Sequence, residues 1–117
     1  MLIINPRSGK GLAPQARAAA ERIATRLGIE LDVRNVERAG HGTQLAQEAV
    51  TNSSDRVICM GGDGTLNAVA AGLISTKIPV GVVALGSGNG YARSLGLPLK
   101  TEDALERAFT GTPAQMD

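Results

Sequence analysis

The chain has 117 residues, the size of one domain, and 43% of them are hydrophobic, which is enough for a buried core and excludes a disordered chain. Its net charge is only +1 and it holds one Tyr, one Phe and no Trp, so it lacks the basic surface and the stacking side chains of a nucleic-acid-binding protein. A single cysteine and a single histidine exclude an internal disulfide and a cluster of soft metal ligands.

The chain opens with an apolar run at residues 2–5, which stops at Pro6 and predicts a fully buried strand. A helix is predicted over 14–27, with an apolar stripe that includes Leu27, and Gly28 follows as its C-terminal stop. Residues 29–36 alternate between apolar and charged side chains, which predicts a second strand with one wet face, nearer an edge of the sheet than the first.

Helices and strands continue to alternate along the rest of the chain. The further predicted helices lie over 43–50, directly after residue 65, over 91–95 and over 102–109, and the further predicted strands lie over 56–60 and 79–85. Val50 is predicted to be buried by the first of these helices, and Cys59 to be an inert core residue of the strand 56–60. Thr101 is predicted to cap the last helix. This order predicts the α/β class, with a parallel sheet between two layers of helices. Ligands bind such folds at the carboxyl ends of the strands.

Residues 61–67, with the sequence Gly-Gly-Asp-Gly-Thr-Leu-Asn, carry the strongest functional signal. Glycines let backbone N–H groups come close to a ligand, and the start of a helix adds free amide donors and a partial positive charge. Thr65 can donate its hydroxyl to a phosphate oxygen, whereas Asp63 would repel phosphate unless Mg²⁺ or a substrate hydroxyl lay between them. The alternative is an ordinary turn in which Asp63 or Thr65 caps the helix, but a cap does not require three glycines around an acid.

Two further loops follow predicted strands. Residues 5–11 (Asn-Pro-Arg-Ser-Gly-Lys-Gly) fail the spacing of a phosphate loop, and Arg7 and Lys10 could screen phosphate charge or simply be solvated. Residues 86–90 (Gly-Ser-Gly-Asn-Gly) fail the dinucleotide fingerprint, and each loop alone could be a surface loop or a tight turn. His41 has no neighbouring nucleophile pattern, so no catalytic role is expected for it.

Taken together, the three loops resemble a known family. The order Asn-Pro-x-Ser-Gly-Lys-Gly, Gly-Gly-Asp-Gly-Thr-Leu-Asn, Gly-Ser-Gly-Asn-x-x-Ala-Arg-x-Leu-Gly is similar to the catalytic domain of diacylglycerol kinases and of related bacterial lipid kinases, sphingosine kinases and ceramide kinases. Gly-Gly-Asp-Gly-Thr alone is shared with NAD kinases and phosphofructokinases, and the first and third motifs narrow the resemblance to lipid kinases. It covers nearly the whole chain and implies that residues 1–117 form the N-terminal nucleotide-binding domain of such a kinase.

The resemblance implies transfer of the γ-phosphoryl group of ATP to a lipid hydroxyl, with Mg²⁺, diacylglycerol or a related lipid being the acceptor. Asp63 matches the motif acid implicated in catalysis, through a water-linked Mg²⁺ or as a base toward the lipid hydroxyl. The residues that the resemblance places at the nucleotide are Asn5, Ser8, Gly9, Gly61, Gly62, Gly64, Thr65, Leu66, Asn67, Ser87, Gly88 and Asn89.

Two residues depart from the family's pattern. Gly90 stands where the family often has an Asp that belongs to the acidic network around the metal, so the metal ligands stay undefined. Val36 stands where family members often carry a Thr, so one hydrogen bond to the nucleotide is expected to be missing.

The family's proteins continue into a β-rich second domain that supplies further catalytic carboxylates and much of the lipid pocket, so residues 1–117 alone are expected to be inactive. No segment approaches the ~18 apolar residues of a membrane span and the N-terminus lacks a signal-peptide pattern, which favours a cytoplasmic protein, peripheral to the membrane, that meets its lipid at the surface. An uncovered domain face could promote homo-oligomerisation. Two alternatives stay open: an NAD kinase-like enzyme, and a nucleotide-binding module without catalysis.

Overall fold

The computed structural model describes residues 1–7, 11, 13–84 and 99–110. Strands and helices alternate along this part of the chain, as the sequence predicts. In chain order the elements are β1 (Leu2–Ile4), α1 (Ala13–Leu27), β2 (Val33–Asn35), α2 (His41–Thr51), β3 (Val57–Gly61), α3 (Asp63–Leu73), β4 (Val80–Ala84) and α4 (Leu99–Thr110). The predicted helix over 91–95 and the loop 86–90 lie outside the described residues.

The four strands form one parallel sheet in the order β2-β1-β3-β4. β1 is paired on both sides, because Leu2 lies opposite Val33 of β2 and also opposite Ile58 of β3. All three residues of β1 are buried, whereas β2 lies at an edge and its residues are half-buried or exposed. The predictions of a fully buried first strand and of a second strand near an edge are therefore confirmed.

Alternate residues of the strands face two separate cores, as a parallel sheet covered on both sides requires. Ile4 and Met60 belong to a cluster with the buried faces of α1 and α4. Ile3 and Cys59 belong to a second cluster with α2 and α3. The helices therefore cover both faces of the sheet, and the predicted α/β/α class is confirmed.

The chain changes direction across the sheet after β2. From β1 it passes through α1 to β2 on one side, and then crosses back through α2 to β3 on the other side of β1. The helices that follow β1 and β3 lie on opposite faces, so the carboxyl ends of these two strands open a crevice. Ligands of doubly wound sheets bind at such a switch point. Asn5, directly after β1, and residues 61–65, at the end of β3, lie on its two sides.

Several predicted details are wrong. β2 is shorter than 29–36, because β1 offers only three residues for pairing. Leu27 and Val50 are 38% and 39% exposed instead of buried, because the last turns of α1 and α2 reach beyond the short strands beneath them. Thr101 lies inside α4 and does not cap it, since Leu99 and Lys100 are good helix formers and extend the helix backward.

Candidate functional site

Three of the predicted site residues, Asn5, Gly64 and Thr65, line one cavity at the carboxyl ends of β1, β2 and β3. Its volume is about 280 Å³. The other lining residues come from the chain after β1, from the β2–α2 connection, from the first turn of α2 and from the second turn of α3: Arg7, Val36, Arg38, Ala39, Gly40, Gly42 and Ala68. The cavity thus lies at the switch point of the sheet, where the topology places a ligand.

Asn5 and Thr65 are joined across the crevice by a hydrogen bond. The Asn5 Nδ2 donates to the Thr65 Oγ1 at 3.1 Å, and the Asn5 Oδ1 accepts from the backbone N–H of Arg7 at 3.0 Å. Thr65 is only 8% exposed. Because its oxygen accepts from Asn5, its own O–H proton remains available to donate to a ligand in the cavity.

Gly61 and Gly62 permit this arrangement for different reasons. A Cβ on Gly61 would lie 2.9 Å from the Cβ of Thr65, so a side chain there would displace the threonine. Gly62 is the N-cap of α3, and no side chain caps that helix end among the described residues. The alternative in which Asp63 or Thr65 caps the helix is therefore not observed, and no described side chain accepts a hydrogen bond from the amides of the first turn.

The remaining residues of the 61–67 segment have distinct positions. Asp63 is exposed in the first turn of α3 and does not line the cavity. The Leu66 side chain packs against the second core cluster, and its backbone N–H donates to Gly62 at 3.0 Å. Asn67 is exposed on α3. The predicted nucleotide-binding residues Ser8, Gly9, Ser87, Gly88 and Asn89 lie outside the described residues.

Sequence reasoning missed the β2–α2 connection as a wall of the cavity, although it singled out Val36 at its start. Arg38, Ala39 and Gly40 line the cavity but form no phosphate-binding motif. The Arg38 Nη2 donates to the Gln44 Oε1 at 2.9 Å, which holds the guanidinium beside α2. Together with Arg7, Arg38 makes the lining positive, as an anionic ligand requires. The signal that could have found this wall is the strand order, which places the end of β2 next to β1.

A larger cavity, about 550 Å³, lies at the opposite edge of the sheet, at the amino ends of the strands. Its lining includes Asp32, Asp55 and Arg56 and none of the described site residues predicted from the sequence. Volume alone therefore does not identify the site, and the convergence of motif residues does.

Known proteins resemble this chain in both sequence and fold. The sequence model of the diacylglycerol kinase catalytic domain matches residues 1–117. The chain is 38% identical to "Probable lipid kinase YegS-like" of Chromohalobacter salexigens, covering 99% of this chain and 38% of that protein. It is 35% identical to "Diacylglycerol kinase" of Bacillus subtilis, covering 93% and 36%.

The solved structures agree with the sequence comparisons. A diacylglycerol kinase crystal structure from Bacillus anthracis superposes with a TM-score of 0.69 at 26% identity, over 90% of this chain and 39% of that one. The chain thus spans less than two fifths of the length of these relatives. The loops, the α/β/α fold and the match over its whole length lead to one conclusion: this chain belongs to the diacylglycerol kinase catalytic domain family.

Proposed function

We propose that the chain is the ATP-binding domain of a lipid kinase, which transfers the γ-phosphoryl group of ATP to the hydroxyl of diacylglycerol or a related lipid. The observation that carries the proposal is the hydrogen-bonded pair of Asn5 and Thr65, inside a positively charged cavity at the N-terminus of α3, which no described side chain caps. Family membership supports the kinase class.

The ATP phosphates are proposed to bind at the first turn of α3. The first amides of a helix have no acceptor within the helix and favour an anion. A Cβ on Gly64 would meet nothing within 4 Å, so the space beside that backbone is open to a phosphate oxygen. Thr65 adds a hydroxyl donor, and Arg7 and Arg38 add positive charge at the cavity.

The nucleoside is proposed to extend toward the β2–α2 connection. Val36 lines this part of the cavity and also packs against the second core cluster. Because valine offers no side-chain donor or acceptor, it supplies an apolar contact and not a hydrogen bond to the nucleoside.

Asp63 is proposed to act at the mouth of the site, because it is exposed in the same first turn but outside the cavity lining. The lipid hydroxyl oxygen would attack the γ-phosphorus, the bond from that phosphorus to the bridging oxygen of ADP would break, and the Asp63 carboxylate would accept the hydroxyl proton.

A magnesium ion is compatible with these residues. The described residues contain no group of three His, Cys, Asp or Glu placed to hold a metal, yet Mg²⁺ usually binds through one or two carboxylates together with substrate phosphates. Asp63 would hold it through water in the alternative in which that carboxylate does not act as the base. When bound, the ion would neutralise the charge that develops on the phosphates.

The acceptor is proposed to reach the site from a membrane surface. No helix in the described part of the chain is both long and apolar enough to cross a bilayer. Much of the lipid pocket is proposed to come from a second domain of the full-length protein, as the resemblance of this chain to the family implies.

The test is a phosphoryl-transfer assay with the full-length protein, using labelled ATP, Mg²⁺ and either diacylglycerol, a sphingoid base or NAD as acceptor. We expect a labelled lipid, and we expect Asp63→Asn to lower kcat by about 10²- to 10⁴-fold, as loss of a general base does. The matched control is Asp55→Asn, an exposed carboxylate at the opposite edge of the sheet, which should leave the rate unchanged.

Two other results would replace the proposed function by one of the alternatives. Labelled NAD without labelled lipid would replace the proposal by an NAD kinase-like enzyme. ATP binding without transfer to any of the three acceptors, unaffected by Asp63→Asn, would instead leave a nucleotide-binding module without catalysis.

A further inference from the structure

The loop between β2 and α2, residues 36–40, forms one wall of the nucleotide cavity and belongs to none of the three motifs. Residues 37–40 are all exposed, so little apolar burial fixes their conformation. The Val36 N–H donates to the carbonyl oxygen of Ile4 at 2.8 Å, which anchors the start of the loop to β1. What shapes the rest of this wall must therefore be local hydrogen bonding.

His41, the first residue of α2, closes the loop with two hydrogen bonds. Its Nδ1 accepts from the backbone N–H of Glu37 at 2.9 Å, and its own backbone N–H donates to the carbonyl oxygen of Arg38 at 3.1 Å. Gly40 makes the turn between them with a φ of 79°, in the left-handed region. The imidazole thus joins the two ends of the segment that places Arg38, Ala39 and Gly40 on the cavity.

Only a ring nitrogen without a proton can accept this hydrogen bond. In neutral histidine with the proton on Nε2, Nδ1 is an acceptor, whereas in the imidazolium both nitrogens are donors and Nδ1–H would oppose the Glu37 N–H. The Nδ1 lone pair of this one imidazole therefore holds the loop closed.

We propose that His41 is a positioning residue: the Nδ1 acceptor of its imidazole holds the β2–α2 loop in the shape that lines the nucleotide cavity, and loss of that acceptor releases the loop and weakens nucleotide binding. The inference rests on the proposed function only in taking ATP as the ligand of the cavity.

The test compares His41→Asn and His41→Leu with the unmodified full-length protein, by calorimetric titration with ATP at pH 7. The asparagine Oδ1 can accept a hydrogen bond near the position of Nδ1, whereas leucine fills the space without an acceptor. We expect the Kd of His41→Leu to be about three- to tenfold higher than that of the unmodified protein, the cost of one hydrogen bond. The Kd of His41→Asn should stay close to that of the unmodified protein.

Two further readouts separate a positioning role from a general loss of structure. In the transfer assay, His41→Leu should raise the KM for ATP and leave kcat unchanged, because the interaction that it removes serves ground state and transition state equally. Without nucleotide, hydrogen exchange at pH 7 should show the Glu37 amide protected in the unmodified protein and in His41→Asn, and unprotected in His41→Leu.

The results test the role of His41 and the proposed function separately. Equal protection of the Glu37 amide in all three proteins, or the same Kd for ATP in the unmodified protein and His41→Leu, would overturn the inference. Protection that follows the acceptor, in proteins none of which binds ATP, would support the role of His41 in the loop and would instead refute the proposed function.

Discussion

Cys59 occupies the middle of β3, with 1% of its surface exposed, among the side chains that join β3 to α2 and α3. This apolar setting disfavours a thiolate, and burial raises the pKa of the thiol from 9.0 to about 12. Above pH 9 the unfolded chain therefore loses a proton that the folded chain keeps. Protonated Cys59 adds stability that is fully present below pH 9 and is lost as the pH rises toward 12.

We therefore expect the free energy of unfolding to fall by up to about 1.4 kcal/mol per pH unit between pH 9.5 and 10.5 on account of this thiol. Urea denaturation over this range measures the effect. Cys59→Ala removes the titrating group but leaves the other titrating side chains in place, so its pH slope should be shallower by that amount. Identical slopes in the two proteins would show that Cys59 is accessible to solvent in the folded state.

Helices α2 and α3 pack so closely that their backbones are in contact. A Cβ on Gly72 of α3 would lie 2.5 Å from the carbonyl oxygen of Thr43 and 2.7 Å from the Cβ of Ala46. The Thr43 Oγ1 donates to the carbonyl oxygen of Ala68 at 2.6 Å, which links the two helices directly. The glycine in the last turn of α3 is thus a requirement of the packing between the two helices.

Gly72→Ala should destabilise the protein by about 1–3 kcal/mol, because overpacking against α2 exceeds the gain of about 0.5–1 kcal/mol from better helix propensity. The control in the same helix is Gly64→Ala, where a Cβ would meet nothing within 4 Å and should leave the stability equal or higher. Urea denaturation midpoints compare the two. A midpoint of Gly72→Ala equal to that of the unmodified protein would mean that α2 and α3 separate at no cost.

The sequence predicts the type and order of the elements well, because apolar periodicity differs between a buried strand and an amphipathic helix. Boundaries are predicted less well. The length of β2 depends on how many residues β1 offers for pairing, and the sequence of residues 29–36 does not contain that information. Leu27 and Val50 fit apolar stripes, but their exposure depends on where the sheet ends beneath each helix.

The candidate site was also predictable from the sequence only in part. Thr65 and Gly64 could be predicted because glycines, an acid and a hydroxyl in one short segment have few structural uses. The hydrogen bond from Asn5 to Thr65 spans sixty residues and follows only from the pairing of β1 with β3. The wall contributed by Arg38 and Gly40 carries no motif, and it reaches the cavity only because β2 pairs with the other side of β1.

Both hydrophobic cores pack against the same sheet, so the helices on one face cannot unfold without exposing strands that support the other core. The radius of gyration is 13.0 Å, close to the value of about 13 Å expected for a compact domain of roughly this length. A cavity built from the ends of three strands and the first turns of two helices exists only while this sheet is intact. Binding in the cavity should therefore stabilise the entire unit.

We expect residues 1–117, produced alone, to unfold in one cooperative transition, and ATP at 100 times its Kd to raise the free energy of unfolding by about 2.7 kcal/mol. Thr65→Val keeps the shape of the side chain but removes the hydroxyl, so its Kd should rise about tenfold and the gain at the same ATP concentration should fall to about 1.4 kcal/mol. Urea denaturation followed by circular dichroism, with and without ATP, measures both gains. Because each protein is compared with its own ATP-free form, any intrinsic destabilisation by valine cancels. An equal gain in the two proteins would place the nucleotide away from Thr65, and no gain in either would show that residues 1–117 alone do not bind ATP.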